Sequence, residues 1–184
     1  MPIRTVTVYC SSSRALAPQY YTAGAELGAA IARANWKLVY GGNSIGLMKT
    51  VADAARAAGG RVIGITPQFF VDEGCHDELC EELVITQTMR ERKYQLEQRG
   101  DAFVALPGGI GTMEELLEIL AAKVLNAHNK PIVLLNTDDY WTPLLEMFQR
   151  GVSRGFIKPS QQDAYFVAKN VGDAMDYLRQ TATD

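Results

Sequence analysis

The segment Leu106-Pro107-Gly108-Gly109-Ile110-Gly111-Thr112-Met113-Glu114-Glu115 sets glycines between an apolar run and a helical pattern that opens on two carboxylates. Glycines at such a junction leave backbone N–H groups uncovered at a helix N-terminus, where they and the helix dipole attract an anion. The segment is not the dinucleotide fingerprint, because the position due a third glycine, counted from Gly109, holds Glu114. Glu115 has two readings. Thr112-x-x-Glu115 fits a capping box, in which the carboxylate closes on its own backbone. Alternatively, Glu115 is a carboxylate placed beside a bound phosphosugar. Upstream, Met89 and Leu96 mark the inward stripe of a helix, and Arg92 and Lys93 stand on that stripe where apolar residues belong. Arg90, Glu91 and Glu97 fit a solvated face instead. Inward-facing cations need an anionic partner, and the glycine cradle offers a place for one. These residues predict a nucleotide or phosphosugar site containing an Arg, a Lys and a Glu.

Other stretches imitate sites. Gly41-x4-Gly46 followed by Lys49-Thr50 resembles a P-loop, but the lysine comes two residues late. At ~100° per residue it is turned ~200° around the helix from where a phosphate-binding lysine belongs. Gly42-Asn43-Ser44-Ile45-Gly46 fits a nucleophile elbow, yet only His76 and His128 are available as partners and a single strand precedes it. The plainer reading is that these glycines let the backbone turn tightly and approach a ligand. Cys10-Ser11-Ser12-Ser13 follows the first strand, and its hydroxyls serve equally as phosphate or sugar donors or as turn residues. Cys75-His76-x3-Cys80 would supply three metal ligands, but no fourth Cys or His lies near it, and no metal site is predicted.

The elements that must position these groups alternate along the chain. Strand-like runs occur at 5–10, 37–40, 61–66, 102–106, 131–135 and near 165–167. Helical patterns occupy 18–35, 46–58, about 86–99, 112–125, 139–150 and 172–179, the second closed by Gly59-Gly60. Residues 67–83 are polar and acidic without clear periodicity, and read as a loop or short helix forming a rim over the ligand. Strands apolar on both faces and separated by helices predict a parallel sheet covered on both sides. The expected fold is therefore an α/β Rossmann-like three-layer α/β/α domain with a mostly parallel sheet, in which ligands gather beyond the carboxyl ends of the strands.

Composition bounds the partners. The 184 residues are 47% apolar and 21% charged, enough for one domain with a sizeable core, spanning 1–184. With 18 basic and 21 acidic residues, the net charge is −3, which argues against a chain built to coat nucleic acid or an anionic membrane. No apolar stretch approaches the ~20 residues of a membrane span. The N-terminus lacks the apolar run of a signal peptide, and three sparse cysteines make no disulfide framework, so a cytoplasmic protein is expected.

Met89-x-x-Arg92-Lys93 followed by Pro107-Gly108-Gly109-x-Gly111-Thr112-x-x-Glu115 resembles the paired signature of the Lonely Guy proteins. These are cytokinin riboside 5′-monophosphate phosphoribohydrolases, long labelled possible lysine decarboxylases. The likeness runs from Val8-Tyr9-Cys10 through Gly41-Gly42, Gly46-Leu47-Met48 and Lys130-Pro131 to Leu134-Leu135-Asn136. It implies hydrolysis of the N-glycosidic bond of a nucleoside 5′-monophosphate, to free base and ribose 5-phosphate. It further implies no metal or redox cofactor, and a homodimer with the site near the subunit interface. By the same likeness Arg92 and Glu115 are the catalytic pair. Met89, Lys93, Gly108, Gly109, Gly111 and Thr112 line the nucleotide site, with Ser12 and Ser13. The alternative is a nucleotide carrier on the same fold, in which Glu115 merely caps its helix. The chain departs from the family pattern at Ser11 and Asn43, where glycines are usual, and at Ala122 and Val124, where many members carry Trp and Gln. The last two fall on the expected base pocket or dimer contact, so cytokinin preference is not carried over.

Overall fold

Thr5-Val6-Thr7-Val8-Tyr9, rich in β-branched residues, forms the central strand of a seven-stranded sheet in a computed structural model that describes residues 2–182. The strands are β1 (Thr5–Tyr9), β2 (Lys37–Tyr40), β3 (Val62–Pro67), β4 (Glu82–Thr86), β5 (Ala102–Ala105), β6 (Ile132–Leu135) and β7 (Phe166–Ala168). They lie in the order β4-β3-β2-β1-β5-β6-β7 with every pairing parallel. The helices are α1 (Pro18–Arg33), α2 (Gly46–Ala57), α3 (Gln68–Asp72), α4 (Met89–Arg99), α5 (Ile110–Val124), α6 (Thr142–Ser153) and α7 (Val171–Thr181).

Successive strand residues point to opposite faces, and each face meets its own helices. Val6, Val8, Leu38 and Tyr40 pack with Leu27 and Ile31 of α1, Val51 of α2 and Leu178 of α7. Tyr9, Val39, Phe103 and Ala105 pack with Leu96 of α4, Leu116 and Ile119 of α5 and Trp141 before α6. The expected three-layer, Rossmann-like arrangement is therefore the observed one, with all seven strands parallel.

From β1 the chain winds outward to β4, then returns through α4 to lay β5 on the other side of β1, Val6 opposite Ala102. A reversal of this kind opens a crevice beyond the carboxyl ends of the two central strands, here β1 and β5. The loops that enter it are Cys10–Ser13 and Leu106–Gly109, and α4 is the element that crosses beneath the sheet to reach it.

Several elements differ from the sequence reading. Within 67–83, Gln68–Asp72 form the short α3, and the edge strand β4 begins at Glu82, inside the span expected to be irregular and helical. Helix α4 begins at Met89 rather than near residue 86, because Thr88 caps it through a bond from Glu91 N (3.1 Å). Residues 137–139 form a 3₁₀ turn instead of the first turn of α6.

Helices α1 and α2 approach so closely that a Cβ on Gly28 would lie 2.1 Å from the Val51 carbonyl oxygen. Backbone cannot yield as a side chain does. Gly28→Ala is expected to cost about 1–3 kcal/mol of stability through overpacking, read as a lowered urea midpoint with an unchanged slope.

Candidate active site

Arg92 and Glu115 meet at the floor of the crevice. Arg92 Nη1 donates to Glu115 Oε1 at 2.6 Å, and Arg92 Nε donates to the Ile65 carbonyl within β3 (3.0 Å). Only 4% of Arg92 and 6% of Glu115 is exposed, so the two charges face each other out of bulk water. Single hydrogen bonds from two different nitrogens, one to a strand carbonyl and one to a carboxylate, fix the guanidinium plane. Gly41, after β2, makes room for it: a Cβ there would stand 2.2 Å from Arg92 Nη2. Burial pushes the Glu115 carboxyl above the usual carboxylate range, with Arg92 pulling the other way.

The capping reading of Glu115 is overturned. Helix α5 starts two residues earlier than expected, with Gly109 as its N-cap, so Thr112 is already the third helical residue and Glu115 lies beyond the first turn. From there it turns inward to Arg92 rather than back to the start of its own helix.

Above the pair lies a cavity of about 350 Å³, within the range of small-molecule sites (roughly 300–1,000 Å³). Eight of the ten expected site residues line it: Ser12, Ser13, Met89, Arg92, Gly109, Gly111, Thr112 and Glu115. Gly109 and Gly111 border open space, since a Cβ on either meets nothing within 4 Å. The lining combines hydroxyls and the N-terminus of α5 with the apolar side chains of Met48, Phe70 and Met89. The chain contributes no lysine to this lining.

Lys93 and Gly108 are placed elsewhere. Lys93 Nζ is paired with the half-exposed carboxylates of Glu114 and, at 3.1 Å, Glu118, and does not itself line the cavity. Those carboxylates satisfy the charge that sequence spacing suggested a ligand would satisfy. Gly108 lies beneath the cradle, where a Cβ would meet Thr112 Oγ1 at 2.1 Å. The lining also includes residues that spacing did not single out as site residues: Cys10, Ser11, Gly41, Asn43, Met48, Phe70 and Glu114. The Cys10 thiol is pushed well up by burial and stays protonated. The look-alike motifs resolve into ordinary structure. Lys49 pairs with Asp53, and Ser44 Oγ donates to the Cys75 carbonyl at 3.2 Å. Among the described residues, no three His, Cys, Asp or Glu side chains are grouped to hold a metal ion.

The departures at Ala122 and Val124 lie away from this cavity. Ala121 and Val124 face an apolar cleft on the outer side of α5, shared with Leu117, Phe148 and Phe156. Ser11 and Asn43, in contrast, line the cavity itself.

The family described as possible lysine decarboxylase matches residues 48–178. Over 98% of its length the chain is 40% identical to a probable cytokinin riboside 5′-monophosphate phosphoribohydrolase of Oryza sativa subsp. japonica, covering 79% of that protein. Over 96% of its length it is 40% identical to the cytokinin riboside 5′-monophosphate phosphoribohydrolase of Rhodococcoides fascians, covering 89% of it. Among solved structures, it is similar to the molybdenum cofactor carrier protein of Chlamydomonas reinhardtii, with a TM-score of 0.71, 25% identity and 98% of both chains covered.

A buried ion pair that loses one member leaves the other charge stranded. Glu115→Ala is expected to lower unfolding stability by about 3 kcal/mol, and the double variant Arg92→Met/Glu115→Leu by less, in urea titrations of the two proteins. A double variant weaker than the single one would contradict this.

Proposed function

The chain belongs to the possible lysine decarboxylase, or Lonely Guy, family, and we propose that it is a hydrolase of the N-glycosidic bond of a purine nucleoside 5′-monophosphate. The observation that carries this reading is the buried Arg92–Glu115 pair opening on a cavity whose polar wall is an uncovered helix N-terminus. The relatives at 40% identity are named for this reaction.

In this reading the 5′-phosphate sits against the backbone N–H groups at Gly109 and Gly111, with the hydroxyls of Thr112, Ser12 and Ser13 near it. The base lies among Met48, Phe70 and Met89. The ribose is thereby held over Glu115, and the binding energy of the phosphate goes into orientation. As the bond from C1′ to the base nitrogen breaks, its electron pair leaves with the base, which takes up a proton, and positive charge grows at C1′. The Glu115 carboxylate stabilises that charge and orients the attacking water, whose oxygen bonds to C1′ and whose proton it accepts. Arg92 holds Glu115 ionised and in place. The products are free base and ribose 5-phosphate. Lysine-based decarboxylation has no support in the residues, since the cationic group of Lys93 is engaged by the two carboxylates of Glu114 and Glu118.

A second reading, that of a carrier, is favoured by the likeness to the molybdenum cofactor carrier protein. It is the weaker, because identity to the phosphoribohydrolases is higher. Incubation with AMP and isopentenyladenosine monophosphate separates the two. We expect release of base and ribose 5-phosphate, abolished in Glu115→Gln while nucleotide binding persists; binding without release in the unaltered protein would favour the carrier. Because the active form of Glu115 is ionised and its pKa is raised, kcat/KM is expected to fall as pH drops through a value above the ordinary carboxylate range. Arg92→Ala removes the opposing cation and is expected to move that acidic limb to still higher pH.

The same reading places the protein in the cytoplasm, where its three free cysteines stay reduced, and makes it a homodimer. The support for a dimer is the apolar cleft on the outer side of α5, with Leu117, Leu125 and Phe156 exposed around it, Phe156 to 88%. Among the described residues no helix is long and apolar enough to cross a membrane. Light scattering is expected to give twice the chain mass, and Leu117→Asp/Phe156→Asp to give a monomer. An unaltered protein already monomeric at micromolar concentration would refute the assignment.

A further inference from the structure

The turn between β6 and α6 is tied to the phosphate cradle. Trp141 Nε1 donates to the Ala105 carbonyl at the end of β5 (3.3 Å), and Tyr140 OH donates to the Gly108 carbonyl. Just before them, Asp138 and Asp139 both hold φ near +54°, a left-handed conformation that residues with a Cβ avoid. Such a conformation persists where surrounding structure over-determines it, and two bonds do so here. Asp138 Oδ2 accepts from Gln19 Nε2 (3.0 Å) and Tyr20 OH (3.3 Å) of α1. The Tyr140 ring is further fixed edge-on against Tyr20 and Trp141.

This arrangement fixes one peptide plane. In a trans peptide the C=O and the following N–H point in opposite directions. The chain has no cis peptide among the described residues, so a Gly108 carbonyl held toward Tyr140 turns the Gly109 N–H the other way. Gly109 lines the cavity, and the space over it is open. We propose that Tyr140 is a positioning residue for the phosphate cradle: its hydroxyl locks the Gly108–Gly109 peptide so that the Gly109 N–H faces the substrate phosphate. Tyr140 itself touches no substrate. The strained turn, Asp138 and the α1 pair form the strut that holds it there. The proposal rests on the cavity being a nucleoside 5′-monophosphate site.

Tyr140→Phe removes only the hydroxyl and keeps the ring contacts. The test is calorimetric titration of the full chain, unaltered and variant, with AMP and with adenosine. The AMP dissociation constant is expected to rise roughly tenfold, and that of adenosine to stay within about twofold. Equal losses for both ligands would make the hydroxyl merely structural and overturn the proposal, as would an unchanged AMP affinity. The readout does not need turnover. An unaltered protein that binds AMP but releases no base refutes the hydrolase reading while the comparison still decides the role of Tyr140. An unaltered protein that binds adenosine as tightly as AMP has no phosphate cradle, and overturns this inference.

Discussion

One carboxylate kept beside one guanidinium, both out of water, is the constraint around which the rest is arranged. Neither side chain tolerates that position alone, so each depends on an element that arrives from a different part of the chain. Glu115 comes with α5, which the glycine junction after β5 starts early enough to aim it inward. Arg92 comes with α4, and its Nε is satisfied by the Ile65 carbonyl within β3, two strands from β1. Gly41, at the end of β2, supplies the space by having no side chain. The pair is therefore a meeting point of four segments, and its geometry depends on the sheet order.

The reversal of strand order at β1 and β5 explains why the polar groups gather where they do. Loops from the two central strands diverge there, and the N-terminus of α5 is left facing the gap. Anion attraction at that terminus and the buried pair below it are separate pieces of physics that share one cavity. A phosphate bound at the first would place the rest of a small nucleotide over the second.

Much of this was visible in the residues themselves. Strand runs apolar on both faces and the helices between them predicted the layers. The two-part pattern of Arg92 with Glu115 marked the floor of the site, because a cation on an apolar stripe is a conflict that needs a partner. What spacing could not show was which partner. Arg92 and Lys93 are adjacent and look alike, yet one meets the buried Glu115 and the other the half-exposed Glu114 and Glu118. That distinction is set by where the folded chain brings each side chain, which no local signal carries. Strand β4 was missed for a different reason. It is an edge strand, with Glu82 and Ile85 exposed, so Glu82-Leu83-Val84-Ile85-Thr86 does not show a buried period at its start. Phe70 and Asn43 come from a five-residue helix and a turn, elements too short to have a periodicity.

The order of the sheet also has a meaning for how the chain is made. Strand β1 is made well before its neighbour β5, which begins at residue 102, so one side of the central strand stays unpaired while the segments between them emerge. Pairing across so long a sequence separation is slow to form, and an open apolar edge is a template for wrong partners. The nascent half-sheet is thus an adhesive stage, and the arrival of the fifth strand both closes that edge and brings in the helix that carries the Glu115 carboxylate.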